Sequence, residues 1–491
     1  MNATLFFILL GLPAAGTIFC AVLHRRNVLE IVTVVSSGLT FVGSLVLLSA
    51  VMTVKSISSP QGWWYADALS AYVMVIVSGS AFVVALYSIG YLRRQILLGK
   101  VDDRHLWLYY LLLNAFVFTM VLVLLSNNLG FLWIGIEAST LATAFLVAFY
   151  ERESSIEAAW KYVIICSVGI ALALFGVMLT YFSALHVVPQ SGSALNWSTL
   201  MQVAKNLDPD ILKLAFIFVL VGFGTKAGLA PMHSWKPDAY GESPAPISAL
   251  MAAGLVNVAL YAIIRFYILV HTALAGSFAS TLFIVFGLVS MGVAVPFILV
   301  QRDFKRLLAY SSVEHVGIII FALGLGTPFA YFGAMLHLLN NAIAKTLLFL
   351  TASNIRTAYN SRLMRKISGA IKVAPVSATI LILGVFAITG WPPFGIFVSE
   401  FTIVSAGFRA GRMLPVVLFV GFIAAIFAGF IYYTSKMVFG EPQSTVKGGE
   451  TGTPSLILLG VLLAALLVLG ISLPTQLELS IENAVAVIAG S

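Results

Sequence analysis

The sequence has few charged residues. Asp, Glu, Lys and Arg together make up 9% of the 491 residues, whereas hydrophobic residues make up 60% and the mean hydropathy is +1.03. An ordinary soluble domain carries roughly 25% charged residues. Because so few charges cannot cover a water-facing surface, the composition excludes a soluble globular protein and indicates that lipid is the main solvent.

Cysteine is also scarce. Cys20 and Cys166 lie in separate apolar runs, so we expect neither a disulfide framework nor a cysteine metal cluster, and we interpret both as small buried hydrophobic residues. The formal net charge is +8, but the basic residues are scattered through loops, so nucleic acid is not an expected partner. The sequence shows no nucleotide-binding loop, haem site or iron–sulfur ligand set, so we expect no cofactor and no catalytic redox site in this chain.

Long apolar runs fill the sequence instead. A membrane-spanning helix needs about 20 mostly apolar residues, and the runs bounded by charges or turn residues predict fourteen spans. We interpret the first run as a span rather than a signal peptide, because it has no basic leading segment and no small-residue cleavage site. The predicted spans are 3–22, 28–52, 68–92, 107–126, 128–149, 160–186, 210–234, 244–270, 277–300, 304–325, 329–354, 375–406, 413–438 and 455–474.

The loops on the two sides of these spans differ in charge. Loops that follow odd-numbered spans hold 19 Lys and Arg residues, whereas loops that follow even-numbered spans hold 5. By the positive-inside rule the odd loops are cytoplasmic and both termini are outside. We therefore expect a multi-pass protein of a prokaryotic inner membrane, with the lipid bilayer itself as a partner.

The order of the spans suggests an internal repeat. Spans 4–8 and 9–13 form two groups of five, and an odd-numbered unit inverts when it is duplicated. The predicted fold is an all-α polytopic membrane protein of about 14 transmembrane helices with two inverted five-helix repeats. The expected divisions are 1–106 (helices 1–3), 107–270 (first repeat), 277–438 (second repeat) and 439–491 (helix 14).

Two charged residues stand inside predicted spans of the first repeat. Charges at bilayer depth are costly and normally face a protein interior or a water path. Glu137 lies in the fifth span and Lys226 in the seventh, each flanked by apolar residues. A buried lysine can give up its proton near working pH, and a nearby carboxylate can tune it. We therefore predict that Glu137 and Lys226 belong to a proton path, although a static ion pair is the alternative.

A polar stripe stands inside the eleventh span. His337, Asn341 and Lys345 recur every four residues, so they share one face of a helix. Such a face is typical of the wall of a hydrated path, and histidine exchanges protons near neutral pH. The alternative is a stripe that only joins helices by hydrogen bonds. The stripe by itself lacks the carboxylate and the second histidine of a metal site, so zinc is not expected.

Proline interrupts the fourth span of each predicted repeat. Pro392 and Pro393 precede Glu400 in the twelfth span, and Pro231 follows Lys226 in the seventh. Prolines cannot continue a regular helix, and the carbonyls that they free need polar partners. Paired breaks in corresponding halves indicate a transport site. We therefore expect broken helices 7 and 12, with Glu400 on the path.

Weaker candidates complete the list. Glu314 and His315 in the tenth span are either a bridge between the two half-paths or a satisfied polar pair. His233 belongs to a group with Lys236, Asp238 and Glu242, which we interpret as a charged interfacial loop or a proton entrance. Arg265 is expected to snorkel to the interface or to form an ion pair. The weaker residues considered are Glu314, His315, His233, Lys236, Asp238, Glu242 and Arg265.

Several segments resemble the antiporter-like membrane subunits of respiratory complex I and of multisubunit cation/proton antiporters. The resemblance covers about residues 106–436. It rests on KAGLAPMHSWKPDAYGESPAPISALMAAGLVNVALYAIIRF, DFKRLLAYSSVEHVG, HLLNNAIAKTLLFL and WPPFGIFVSEF, which are similar to the family's helices 7–8, 10, 11 and 12.

The resemblance implies roles for individual residues. Glu137 and Lys226 match the fifth-helix glutamate and seventh-helix lysine of the proton path, and Glu400 matches the twelfth-helix exit residue. His337 and Lys345 match polar residues of the second half-channel. The sequence departs from the family at three positions, namely Asn257 for an eighth-helix Lys or His, Asn341 for a second His, and Lys236 for a Leu.

Within this family, EAAWKYVIICSVGIALALFG and VNVALYAIIRF look most similar to the F component of hydrogenase-four and formate hydrogenlyase-type assemblies. That resemblance implies a non-catalytic, proton-translocating subunit whose partners are other membrane subunits and, through them, a peripheral redox arm. The alternatives are a subunit of a redox-free Na+/H+ (Mrp-type) antiporter, a membrane partner in inorganic-carbon uptake, and a structural scaffold.

Overall fold

The computed structural model describes residues 2–188, 193–274, 276–442, 449–450 and 452–490. Within these residues the chain is almost entirely helical. The helices are α1 Asn2–Val22, α2 Arg26–Val54, α3 Ala68–Leu97, α4 Asp103–Leu125, α5 Leu129–Val147, α6 Glu153–Ala184, α7 Trp197–Val203, α8 Pro209–Ala227, α9 Trp235–Glu242, α10 Ala245–Leu250, α11 Val256–Leu274, α12 Phe278–Leu299, α13 Phe304–Gly324, α14 Pro328–Tyr359, α15 Ala370–Val373, α16 Pro375–Ile388, α17 Gly395–Arg409, α18 Met413–Val438, α19 Thr453–Ile471 and α20 Thr475–Ala489.

Among the described residues, twelve helical segments are long and apolar enough to cross a membrane. Of the two further predicted spans, span 12 is split into α16 and α17. In span 7, α8 ends at Ala227, and α9 begins at Trp235, just beyond the predicted end of that span. Together these elements account for the fourteen predicted spans, and the breaks fall in spans 7 and 12 as predicted. The fold class is therefore confirmed.

Loop contacts agree with the alternation of the spans. Trp64, Ser126 and Asn196 come from the loops after spans 2, 4 and 6, and isolated β-bridges join Trp64 to Ser126 and Asn128 to Asn196. On the other set of loops, Asp303 pairs with Leu363. Even loops thus meet even loops and odd loops meet odd loops, as an unbroken alternation of spans requires.

Two regions differ from the sequence prediction. No helix was predicted between the spans 160–186 and 210–234, but the described part of this stretch contains α7, whose Trp197 is buried; residues 189–192 lie outside the described residues. The segment 439–491 was expected to hold one helix, but α20 follows α19. Helix α20 is amphipathic and packs on α3 and α14. At 15 residues it is shorter than a membrane-spanning helix, so a search for spans did not predict it.

The eighth span forms the centre of the molecule. Helices α10 and α11 join through a π-helical turn at Met251–Leu255, and the most apolar window of this span is wholly buried. Arg265 lies on it. The two terminal guanidinium nitrogens, Nη1 and Nη2, donate to the Asp67 carboxylate at 2.6 Å each. The guanidinium also lies 4.2 Å from the centre of the Trp197 ring. Of the two expected outcomes, ion pairing rather than snorkelling is observed.

Asp67 also begins a helix. Its carboxylate accepts the backbone N–H of Ser70, and the Ser70 hydroxyl accepts the backbone N–H of Asp67, which makes a reciprocal cap at the start of α3. The short strands β1 Ser56–Ser58 and β2 Tyr65–Asp67 hold this corner. One buried carboxylate therefore stabilises both a helix terminus and the central span.

We expect Asp67→Asn to lower the free energy of unfolding by about 3–5 kcal/mol, because it leaves the buried Arg265 charge unpaired. The measurement is an SDS-unfolding titration of the purified protein in lipid micelles. Asp210→Asn is the matched control, since Asp210 pairs with Lys213 at an exposed position, and we expect no measurable change there. Equal stability of the two variants would contradict the assignment.

Candidate functional site

The first cluster surrounds Lys226 in the last turn of α8. Its side chain is buried, and its ammonium donates to Thr140 Oγ1 at 2.5 Å and to the Tyr162 hydroxyl at 2.8 Å. The ammonium also lies 4.9 Å from the centre of the Tyr162 ring. These oxygens and this aromatic face replace water around a cation inside an apolar bundle.

Glu137 belongs to the same cluster but does not touch Lys226 directly. The Thr140 hydroxyl donates to Glu137 Oε2 at 3.3 Å, and the Ser167 hydroxyl donates to Oε1 at 3.2 Å. Thr140 therefore accepts from the lysine and donates to the glutamate. A hydroxyl bridge is therefore observed between Glu137 and Lys226 in place of the direct ion pair that was the alternative interpretation. The sequence signal for Thr140 is its position one helical turn after Glu137.

Lys236 is fully buried, whereas Asp238 and Glu242 of the same expected interfacial loop are only partly buried. Its ammonium donates to the backbone carbonyls of Ala227 at 2.6 Å and Ser312 at 3.4 Å. Ala227 is the last residue of α8, and Ser312 belongs to α13. The structure thus places a third cation between the broken helix 7 and the second repeat, which the sequence interpretation missed.

The rest of that group forms ion pairs at the rim. Asp238 accepts from Arg306 at 2.5 Å and from Lys161 at 3.3 Å, and Glu242 pairs with Arg362. These contacts fit the interpretation of a charged interfacial loop for Asp238 and Glu242. Lys236 is the exception, because its side chain turns inward from the same short helix, α9.

The second cluster connects three helices through histidines. His315 Nδ1 lies 2.9 Å from His337 Nε2, and His337 Nδ1 lies 2.9 Å from Ser399 Oγ. The Ser399 hydroxyl donates to the Ile396 carbonyl at 2.8 Å, so it accepts from His337. When both rings are neutral, His315 therefore donates to His337, and His315 Nε2 faces no hydrogen-bond partner within the described residues.

Lys345 and Glu314 lie beside the histidines. The Lys345 ammonium is buried and donates to the Leu308 carbonyl at 3.1 Å. Glu314 accepts from the Ser311 hydroxyl at 3.3 Å and interacts electrostatically with Lys345. His337 and Lys345 both reach α13 from α14, which agrees with the single helix face predicted for them.

Glu400 approaches the histidines from the second broken helix. One donor atom from each of His315, His337 and Glu400 lies within 4.8 Å of the other two. The carboxylate packs against Gly390, whose φ is +68°, and a Cβ at Gly390 would collide with it. The second histidine and the carboxylate that the α14 stripe lacks by itself are therefore supplied by α13 and α17.

Other predicted site residues stay outside these clusters. His233 hydrogen-bonds the Pro231 carbonyl at 3.2 Å and contacts the rings of Phe297 and Tyr310. The side-chain oxygen Oδ1 of Asn341 is buried without a hydrogen-bond partner in the described part of the chain. The same holds for Oδ1 of Asn257, whose side-chain amide donates to the Ala253 carbonyl at 2.7 Å. The prolines mark the breaks: Pro231 lies between α8 and α9, and Pro392 and Pro393 lie between α16 and α17.

The two clusters together balance their charges. Three lysines and three glutamates take part, and both broken helices contribute to them. The group formed by His315, His337 and Glu400 draws its residues from three different helices. The charged members are Lys226, Lys236, Lys345, Glu137, Glu314 and Glu400. Such a string of closely placed titratable groups between broken helices is suited to accepting and releasing protons.

Comparison with known proteins agrees with this architecture. Residues 126–428 match the family model described as NADH:quinone oxidoreductase/Mrp antiporter, TM. The Hydrogenase-4 component F homolog of Methylacidiphilum infernorum (isolate V4) is 38% identical over 431 residues, covering 88% of this chain and 89% of that protein.

Solved structures share the fold over nearly the whole chain. A chain of the membrane-bound sulfane sulfur reductase, an archaeal respiratory membrane complex, superposes with a TM-score of 0.88 at 24% identity, covering 99% of this chain and 97% of its own. A chain of the Mrp complex from Dietzia sp. DQ12-45-1b gives 0.87 at 19% identity, with coverage of 99% and 97%. This multi-pass membrane protein belongs to the family of antiporter-like membrane subunits of NADH:quinone oxidoreductases and Mrp antiporters.

Proposed function

We propose that this chain carries protons across a membrane along the two buried clusters, in response to events in partner subunits. The observation that carries the proposal is the directed hydrogen-bond chain from Lys226 through Thr140 to Glu137. Each donor in it faces an acceptor, so a proton has an uninterrupted route between the buried Lys226 and the half-buried Glu137.

The first step follows from that chain. A proton passes from the Lys226 ammonium to Thr140 Oγ1 while the Thr140 hydroxyl proton passes to Glu137. The result is a neutral amine and a neutral carboxylic acid, so the buried charge of Lys226 and the half-buried charge of Glu137 disappear together. Charges are costly in an apolar medium, so small changes in the surroundings of Lys226 shift this balance.

Lys236 connects the two halves. Its ammonium bridges the end of α8 and the carbonyl of Ser312, which is two residues before Glu314 and three residues before His315. It also interacts electrostatically with His315 and Lys345. Since Asn257 cannot carry a proton where related proteins have an eighth-helix lysine or histidine, Lys236 takes over the central relay.

The second half continues through the histidines to Glu400. A proton that reaches His315 Nε2 allows the Nδ1 proton to pass to His337 Nε2. Glu400, with a carboxylate oxygen within 4.8 Å of a ring nitrogen of each histidine, is the next proton-binding group in this scheme. Glu314 and Lys345 set the electrostatic potential around this step. In this scheme the described path runs Glu137, Lys226, Lys236, His315, His337, Glu400.

The partners follow from the relatives. We propose that the chain works with other membrane subunits and a peripheral redox arm, because a hydrogenase-4 component F homolog is 38% identical to it over 88% of its length. In this proposal the chain lies in a prokaryotic inner membrane with both termini outside. The repeat divisions at 107–270 and 277–438 are part of this proposal. The likeness to an Mrp chain favours one alternative, a redox-free cation/proton antiporter.

We expect Lys226→Ala and Glu137→Gln to lower the initial rate of proton uptake by at least about tenfold, because each removes a proton-binding group. Sealed inverted vesicles carrying the intact complex are supplied with the electron donor and acceptor of its co-purified redox subunits, and a pH-sensitive dye reports uptake. Lys213→Ala, an exposed lysine of the same helix, is the control.

Co-purification of the partner subunits shows that each variant assembles. Normal pumping by both variants would refute the path. Proton movement that follows an imposed Na+ gradient, and does not depend on electron transfer, would favour the antiporter alternative.

A second prediction concerns the bridge. Thr140→Val keeps the shape but removes the hydroxyl, so proton uptake should fall about tenfold, since a hydrogen bond to a charged group is worth about 1.5–3 kcal/mol. Thr140→Ser keeps the hydroxyl and should pump nearly as wild type. The same vesicle assay measures both. Equal rates for Val and Ser would show that Thr140 only fills space.

A third prediction tests the central relay. Lys236→Leu should lower proton uptake by at least about tenfold, and adding Asn257→Lys to it should restore part of the rate, because the cation returns at the position usual in related proteins. Asn257→Lys alone is the control. If Lys236→Leu pumps normally, the relay does not involve this lysine.

A further inference from the structure

Another polar region lies away from both clusters, where four of the loops that follow odd-numbered spans meet. A cavity of about 730 Å³ lies between the ends of α3 and α14, the loop after α5 and the loop after α14. Of the described residues that line it, none is acidic and six are basic. The basic residues are Arg94, Lys100, Arg152, Lys305, Arg356 and Arg362.

Only part of this positive charge is compensated. Arg362 pairs with Glu242 and Asp303, and the Lys305 ammonium donates to the carbonyls of Gly241 and Ser243. The other four basic residues make no ion pair within the described part of the chain. Burial, followed by the charges of Arg356 and Arg152, lowers the pKa of Lys100, which lies in the loop between α3 and α4. An anion in this cavity would relieve that repulsion.

An apolar groove continues from the cavity. It has a volume of about 750 Å³ and runs between α3, α14 and α19. Leu97 and Ile457 on its walls are 86% and 63% exposed, so the groove opens towards the surface where lipid chains would lie. Cavity and groove share five lining residues, which are Tyr91, Arg94, Gln95, Ser353 and Thr357.

We propose that cavity and groove together bind one anionic phospholipid, with the phosphate headgroup among the basic side chains and the acyl chains along the groove. A soluble anion would use the cavity but would leave the adjoining apolar wall unexplained. Both volumes fall within the range of small-molecule sites, about 300–1,000 Å³. Basic pockets between transmembrane helices on the cytoplasmic side suit such headgroups.

The site touches the helices of the second cluster. Lys305 lies in the first turn of α13, which carries Glu314 and His315, and Arg356 lies in the last turn of α14. A bound headgroup therefore joins the ends of two helices that hold the proposed proton path. The proposal does not depend on proton transport, since lipid binding is measured separately.

The test is native mass spectrometry of the intact complex, purified in mild detergent and supplied with phosphatidylglycerol or phosphatidylcholine. We expect selective retention of phosphatidylglycerol, reduced at least about fivefold by Arg152→Gln with Arg356→Gln. Arg365→Gln with Lys366→Gln, which lie on the same side but outside the cavity, is the control and should retain the lipid as wild type does.

A second variant fills the groove without changing any charge. A Cβ at Gly90 would lie 3.4 Å from Ser455 Oγ, so Gly90→Leu should obstruct the acyl chains and also reduce phosphatidylglycerol retention. Equal retention of the two lipids would overturn the proposal. The proposal would also be overturned if glycerol phosphate displaced phosphatidylglycerol while Gly90→Leu had no effect, which would indicate a small soluble anion. A cross-link from Lys100 to an acidic segment of a partner subunit would overturn it as well, because that segment would then fill the cavity.

Discussion

A lysine ammonium inside an apolar helix bundle is stable only when oxygen atoms surround it, and the arrangement of the central helices follows from this constraint. Lys226 obtains its oxygens from Thr140 and Tyr162 on two neighbouring helices. Lys236 obtains them from backbone carbonyls, one of which is freed where α8 ends at Ala227. The break in the helix and the buried cation therefore satisfy each other, since the freed carbonyl needs a donor and the lysine needs an acceptor.

In the two broken helices, charges of opposite sign lie towards opposite helix termini. Lys226 lies in the last turn of α8, where the carbonyl end of the helix favours a cation. Glu400 lies in the second turn of α17, nearer the N–H end, where an anion is favoured more weakly. Each charge therefore lies nearer the helix terminus whose dipole favours its sign.

Buried and peripheral charges serve different purposes in this molecule. Asp67 and Arg265 are held by two short hydrogen bonds and by aromatic rings, so they fix the central span. Glu137 and Lys226 are separated by a hydroxyl that both accepts and donates. The structural pair and the proposed transport pair thus differ in whether the two charged groups meet directly or through a hydroxyl.

The sequence by itself determined the membrane class, the spans, both helix breaks and the shared face of His337 and Lys345, because hydropathy, proline position and helical spacing are local properties. Only the tertiary structure decided which side chains meet. Thr140 reaches Lys226 across 86 residues of sequence, and Arg265 reaches Asp67 across 198. Lys236 looked like a loop residue because it lies just past the predicted end of span 7, yet its side chain is buried and reaches the carbonyls of Ala227 and Ser312. Contacts between distant segments depend on how helices pack, and no local pattern records that packing.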